Sequence, residues 1–237
     1  MHSLKSETAR IPKIIWQTAK DPNNLHINAK KSIASFLQKN PDYEWYIMDD
    51  EQCRRFIQDH FSQEFYNMYI SLPFGVMKAD VWRIAIVYVY GGIYVDTDCN
   101  CIVSLDNWIN PNDELIAFEE WPNSSYGNFV IIAEPKHPAI LKSLEWIMKR
   151  YNAEDFLTKN STTPIQDFGA LAYYLGIKEY MENNVNHNIR VLKYHEHRIT
   201  NSFHNSSYIV HDSASIKWNR YDSWRKQQQK HFGVFGG

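Results

Sequence analysis

Only three cysteines occur in 237 residues: Cys53, Cys99 and Cys101. An odd number without framework spacing excludes a disulfide-stapled scaffold and predicts a reducing compartment. Cys99 and Cys101 stand two apart, too few ligands for a zinc site and badly placed to bridge along an extended chain. Long apolar runs are also missing. The longest, Val81 to Tyr90, is about half a membrane span and carries Arg83, so no transmembrane helix is predicted. Met1 to Arg10 is polar and lacks the apolar region of a secretory leader. With the cysteine usage this predicts a cytoplasmic protein, in which the sequons at Asn123, Asn160 and Asn205 are chance matches. Charge imbalance is slight: 25 Lys and Arg against 27 Asp and Glu leave −2. A nucleic-acid binder's electrostatic footprint is therefore missing, and nucleic acid is not expected as a partner. No repeat, low-complexity tract or linker breaks the chain. One domain is expected over residues 1–237, with a polar tail at 1–10 and a second tail at 219–237.

What is present is an aromatic-rich chain of alternating strand and helix signals. Eight Trp, fifteen Tyr and twelve Phe suit sugar and nucleobase stacking, though most belong to a core. Ile11 to Trp16 predicts a first buried strand. Asn28 is placed to cap a helix through Gln38, with Ile33, Phe36 and Leu37 on one face and Asn40-Pro41 ending it. Tyr43, Trp45 and Ile47 alternate as a strand does, and Asp49-Asp50 offer an N-cap to a helix carrying Cys53, Phe56 and Ile57. A polar helix over Ser62 to Ile70 precedes the Pro73-Phe74-Gly75 break. Val76 to Tyr90 predicts a helix closed by Gly91-Gly92, followed by a strand at Ile93 to Asp96. Later strands are expected at Leu115–Phe118, Phe129–Ala133, Ile189–Leu192 and Tyr208–Val210, and helices at Pro138–Arg150 and Pro164–Leu175. Such alternation predicts an α/β sheet with crossover connections. Ligands of these sheets sit at the carboxyl ends of the strands, where Asp96 to Asp98 fall.

In an extended chain Asp96 and Asp98 project to one side and Thr97 to the other. Two converging carboxylates repel, and a hard divalent cation such as Mg²⁺ or Mn²⁺ relieves that repulsion. The cation can then neutralise a departing diphosphate. The plainer alternative is two acids solvated separately. The preceding helix is apolar nearly all round, the pattern of a buried helix, with Lys78, Asp80 and Arg83 as its few charges. Asp80 and Arg83 share a face at i, i+3. They either form an internal ion pair that locks the helix or reach the cleft of Asp96, and both can hold together.

Asp80-x-x-Arg83, followed by Tyr90-Gly91-Gly92-Ile93-Tyr94-Val95-Asp96-Thr97-Asp98, resembles the sugar-binding region of the family-32 glycosyltransferases with the DXD motif. Similarity extends to Ile11-Pro12-Lys13-Ile14-Ile15, Asn40-Pro41-Asp42-Tyr43-Glu44, Asp49-Asp50-Glu51, and Asn128-Phe129 through His137-Pro138. It covers the chain to about residue 140 and thins beyond. The resemblance implies a GT-A fold: one α/β domain with a mixed, mostly parallel sheet flanked by helices. It implies metal-dependent transfer of a hexose, with retention, from a nucleotide-diphosphate sugar to a glycan or lipid-linked glycan acceptor. A UDP-sugar is the favoured donor, GDP-mannose the second, and Mn²⁺ or Mg²⁺ the cofactor. By the same resemblance Asp96 contacts the donor's ribose and sugar and shares the metal with Asp98, while Asp80 and Arg83 hold sugar and diphosphate. Tyr94 belongs to the donor site. Trp16 lies where the family places nucleobase contacts, although a His is common there.

The carboxyl-terminal part departs from the family pattern. In place of a closing His and Ser-Trp pair stand Tyr208-Ile209-Val210-His211-Asp212 and then Trp218. His211 is a third metal or phosphate ligand or a core histidine, with Asp212 as a substitute ligand and Trp218 as a donor contact. Thr163-Pro164-Ile165-Gln166-Asp167 stands where the family has Thr-Gly-Pro. Gln166 and Asp167 either line the reacting face of the sugar or are ordinary first-turn residues. Two other functions compete for these residues. A haloacid-dehalogenase-type phosphatase also ends an apolar strand in Asp-x-Asp, but it wants Thr or Val where Asn100 stands and a downstream acidic pair. A non-catalytic sugar-binding module would need no buried Asp-Arg pair beside the metal acids. Finally, Lys217 to Lys230 mixes aromatic and basic residues, five cations against Asp222. It suits peripheral contact with the inner face of an anionic membrane, or a tail folded back so that Trp218 closes the donor site.

Overall fold

In the computed structural model, which describes residues 9–120, 125–153, 167–193 and 208–211, the chain opens on a buried anchor and not on a strand. Ile11 is buried, but Ile14 N–H turns back to the Pro12 carbonyl at 2.8 Å, and β1 begins only at Ile14 (Ile14–Thr18). Proline has no N–H for a ladder, so the strand starts beyond it. α1 (Ile27–Lys39) is capped by the His26 ring and not by Asn28, and it buries Ile33 and Phe36 while Leu37 stays exposed. β2 (Glu44–Met48) pairs in parallel with β1 along the sheet margin. α2 (Asp50–His60) starts with a capping box, Asp49 and Gln52 satisfying each other's backbone N–H, and α3 (Gln63–Ser71) is capped by Ser62.

α4 (Gly75–Tyr90) ends at Gly91 and Gly92, whose φ angles of 68° and 91° turn the chain straight into β3 (Gly92–Val95). A Cβ on Gly92 would lie 2.6 Å from the Ile14 carbonyl, so no side chain fits there. Next come β4 (Cys99–Cys101), too short to leave a pattern, β5 (Leu115–Phe118), β6 (Val130–Ala133) and α5 (Pro138–Tyr151). α6 (Ala170–Asn183), β7 (Ile189–Leu192) and β8 (Ile209–His211) follow. α6 runs well past the expected Leu175, because Ala172, Tyr173, Gly176 and Ile177 continue its buried stripe. The segment 154–166, with Pro164 and Gln166, lies outside the described residues, as does 212–237, which holds Asp212, Trp218 and the basic aromatic tail.

The main sheet has the order β2-β1-β3-β6-β5-β7. The pairs β1–β2, β1–β3 and β5–β7 are parallel; β6 alone runs against its neighbours β3 and β5. The sheet is therefore mixed and mostly parallel, with helices as crossovers. Side-chain alternation divides the core. Tyr94, Leu115, Ala117 and Ile131 face α2 to α6, whereas Ile93, Val95, Ile116, Val130 and Ile132 face Phe36 of α1 and the small β4–β8 sheet. Among the described residues no helix is long and apolar enough to cross a membrane.

Arg10 fastens the start of the chain to this frame, reaching Glu114 at 2.5 Å and Glu134 at 2.7 Å. Beside it His137 is almost fully buried and caps α5, its Nδ1 accepting from Ala139 N–H at 3.1 Å. Burial lowers the pKa of this imidazole from 6.5 to about 4. Between those values the unfolded chain takes up a proton that the native ring refuses, so stability falls as pH drops through the window. The expected loss is on the order of 1–3 kcal/mol. Urea unfolding between pH 7 and pH 4 checks this, and His137→Asn, which keeps a capping acceptor, should flatten that dependence.

Candidate active site

Helix α4 is apolar on every side, yet Asp80 and Arg83 are among its buried residues, 7% and 6% exposed. Such charges persist only when each has partners. Arg83 Nη2 lies 3.1 Å from Asp80 Oδ1 and 3.2 Å from Asp96 Oδ1. Its Nη1 donates to the Asn128 carbonyl at 3.2 Å, and the guanidinium sits over the Tyr94 ring, 4.9 Å from the centroid. Asn128 Nδ2 donates to Asp80 Oδ1 at 3.2 Å, and Tyr94 donates its hydroxyl proton to Asp96 Oδ1 at 2.6 Å. The pair on α4 therefore locks the helix and also reaches Asp96.

Ionisation follows the same geometry. Burial opposes the charge on Arg83, but the fields of Asp96, Tyr94, Asp80 and Asp98 outweigh it and keep the guanidinium protonated. Burial raises the Asp80 carboxyl to about 6 in spite of Arg83. Burial first, and then the neighbouring Asp96, push the Tyr94 phenol well above its usual range, so it remains a proton donor.

Asp96, Thr97 and Asp98 are half-buried at the carboxyl end of β3, open to solvent where Asp80 and Arg83 are not. They do not continue the strand. Cys99 N–H closes back to the Asp96 carbonyl at 3.0 Å, so the motif is a turn and the expected strand-like alternation of its side chains fails. The turn follows from topology: it swings the chain from β3 into β4, which belongs to the other sheet. Among the described residues, three carboxylates, Asp80, Asp96 and Asp98, act on the one Arg83 guanidinium. Carboxylates are the hard oxygen donors that fit Mg²⁺ or Mn²⁺.

The remaining predicted residues scatter. Trp16 is buried, its Nε1 donating to the Gly91 carbonyl at 2.9 Å and its ring stacked with Tyr46 and Tyr90 at 5.0 and 5.7 Å. Its backbone is the in-register neighbour of Tyr94 on β3, and its ring fills an aromatic stack. Asp167, three residues before α6, is paired with Arg150 of α5 at 2.8 Å. The backbone of His211 pairs with that of Cys99, next to Asp98. Gln166 and Trp218 lie outside the described residues. Asn128 received no role from sequence, yet it binds both Asp80 and Arg83. Its signal is topological: β6 runs antiparallel to β3, so the start of β6 meets the end of β3.

A family model described as "Glycosyltransferase sugar-binding region containing DXD motif" matches residues 27–115. The chain thus carries the sugar-binding region of the DXD glycosyltransferases over that segment. The matched segment holds Asp80, Arg83, Tyr94, Asp96 and Asp98. The chain is 34% identical over 137 residues to the initiation-specific alpha-1,6-mannosyltransferase of Candida albicans, covering 56% of this chain and 35% of that one. It is also 34% identical over 149 residues to inositol phosphoceramide mannosyltransferase 3 of Schizosaccharomyces pombe, covering 60% and 38%. It thus spans little more than a third of the length of these relatives. Among solved structures, PaToxG glycosyltransferase superposes with a TM-score of 0.56 at 19% identity, over 74% of this chain and 72% of that one. The shared architecture is GT-A, as the resemblance implied.

Removing Arg83 leaves Asp80 and Asp96 facing each other in the interior. Arg83→Met should destabilise the fold by about 3–5 kcal/mol, and Asp80→Asn added to it should restore part of that loss. Urea unfolding of the wild type, both single variants and the double variant measures the coupling; strict additivity would contradict it.

Proposed function

We propose that this chain transfers a hexose, with retention, from a nucleotide-diphosphate sugar to a glycan or glycolipid acceptor, using a divalent metal. The observation that carries this reading is the half-buried Asp96-Thr97-Asp98 turn backed by the buried Arg83 cluster. Asp98 and Asp96 would hold Mn²⁺ or Mg²⁺, with His211 as third ligand. The bound ion supplies neutralisation of charge growing on the diphosphate as the sugar leaves. Arg83 adds a fixed cation behind the acids, already oriented by Asn128 and Tyr94, so no reorganisation is needed as charge develops. Asp80 and Asp96 would accept hydrogen bonds from sugar hydroxyls, with the Asp96 carboxylate hydrogen-bonded by Tyr94.

The donor we propose is a mannosyl one, GDP-mannose ahead of the UDP-sugar first favoured, because relatives on both sides of the comparison are named mannosyltransferases. The printed name of one of them, inositol phosphoceramide mannosyltransferase, supports a glycolipid acceptor.

The full chain, supplied with Mn²⁺ or Mg²⁺ and a panel of GDP- and UDP-hexoses, should release nucleoside diphosphate from one donor. A phosphatase would release inorganic phosphate, and a binding module would release neither. Asp98→Asn should lower the rate by about 10²–10³-fold and blunt the response to metal. Full activity in that variant with an unchanged Mn²⁺ response would overturn the assignment of Asp98.

A further inference from the structure

Asp80 is held on one side by Arg83 and Asn128; another side is closed by the backbone of a glycine. Gly169 is buried immediately before α6 with φ of −113°, so the sign of its φ does not call for glycine. Space does. A Cβ built there would lie 2.6 Å from Asp80 Oδ2, 2.7 Å from Asp80 Cγ and 3.1 Å from Asn128 Nδ2. The two distances to Asp80 are too short for a carbon and the third is tight, and the atoms in the way are not free to step aside. The carboxylate is tied to Arg83 at 3.1 Å and to Asn128 at 3.2 Å in an interior with little room.

The backbone at 169 is in turn fixed from behind. Asp167 is paired with Arg150 of α5, and Phe168 is fully buried. Farther along α6, Gly176 presses on Ser143 of α5, where a Cβ would fall 2.3 Å from the Ser143 nitrogen. α6 and the turn that leads into it are thus docked against α5 at two points, and Gly169, just before the helix, comes to rest on Asp80.

We propose that Gly169 is a positioning residue: the room left by its missing side chain sets where the Asp80 carboxylate, and through it Arg83, stands in the donor site. The functional part of this rests on the reading given under Proposed function; the contact with Asp80 does not. Adding a methyl must move the carboxylate from Arg83. Displacement of a binding group by about 1 Å can cost on the order of 100-fold in rate. A competing effect is loss of a tolerated N-cap glycine, which weakens the start of α6 without reference to Asp80.

The test is a double-mutant cycle on the full chain with Gly169→Ala and Asp80→Ala, together with Gly75→Ala, where an added Cβ meets nothing within 4 Å. Melting temperature reads the contact. Gly169→Ala should lower it in the wild-type background and change it little once Asp80 is Ala, because the methyl then enters the vacated space. If Gly169→Ala alone does not fold, a folded double variant supports the proposal equally. An equal drop in both backgrounds, or a double variant that also fails to fold, overturns it.

Donor kinetics with Mn²⁺ and the GDP- or UDP-hexose that the wild type uses read the role. Donor KM should rise about fivefold or more in Gly169→Ala, since a smaller folded fraction would lower only the apparent kcat. Gly75→Ala should match the wild type. An unchanged donor KM in a folded Gly169→Ala variant overturns the positioning role. A wild type that turns over no nucleotide sugar would instead refute the transferase reading, while the melting cycle still decides whether Gly169 sets Asp80.

Discussion

A guanidinium in an apolar interior must be surrounded by acceptors or it will not stay there. Arg83 meets this demand by drawing on four parts of the chain: Asp80 one turn back on α4, Tyr94 on β3, Asp96 beyond β3, and the Asn128 carbonyl before β6. Each of these has further duties of its own, so the site cannot be loosened at one residue alone. The low dielectric that makes an unpaired charge costly also strengthens the pairs that are made. A cluster of this kind holds its geometry whether or not a ligand is bound, as a preorganised electrostatic site requires.

The route by which these parts meet is short. Gly91 and Gly92 reverse the chain within two residues, so β3 runs back along α4 and brings Asp96 to the level of Arg83. The reversed direction of β6 does the rest, since a parallel neighbour would have presented its carboxyl end in place of Asn128. One apolar helix, one glycine turn and one antiparallel strand are sufficient to assemble the cluster.

Much of this could be read in the sequence. Asp80 and Arg83 stood out as charges at i, i+3 on a helix with no polar face, and the order of strands and helices implied an α/β sheet with crossovers. Leu115–Phe118 and Ile189–Leu192 matched to the residue because apolar runs bounded by polar loops have sharp ends. What could not be read depended on long-range placement. The Asp96–Asp98 turn comes from a chain changing sheets, and no local period reports that. Trp16 was assigned by its nearness to a strand end, yet its direction is set by the partners Tyr46, Tyr90 and Gly91. Asn128 and Asp167 were indistinct because their partners lie 45 and 17 residues away. Leu37 shows the same limit within one helix, being apolar but one step off the buried stripe.

The strand that carries the motif is central, with β1 on one side and β6 on the other. The family match spans 27–115 and includes neither of them. Excised at those limits, the segment would keep every acid of the motif and Arg83, yet β3 would present two bare edges, and β2 would lose β1 as its partner. Unpaired strand edges recruit other chains. The signature and the unit able to fold around it are thus different objects. Arg83 would also lose the Asn128 carbonyl, so the charge at the heart of the match would be left short of an acceptor supplied from beyond it.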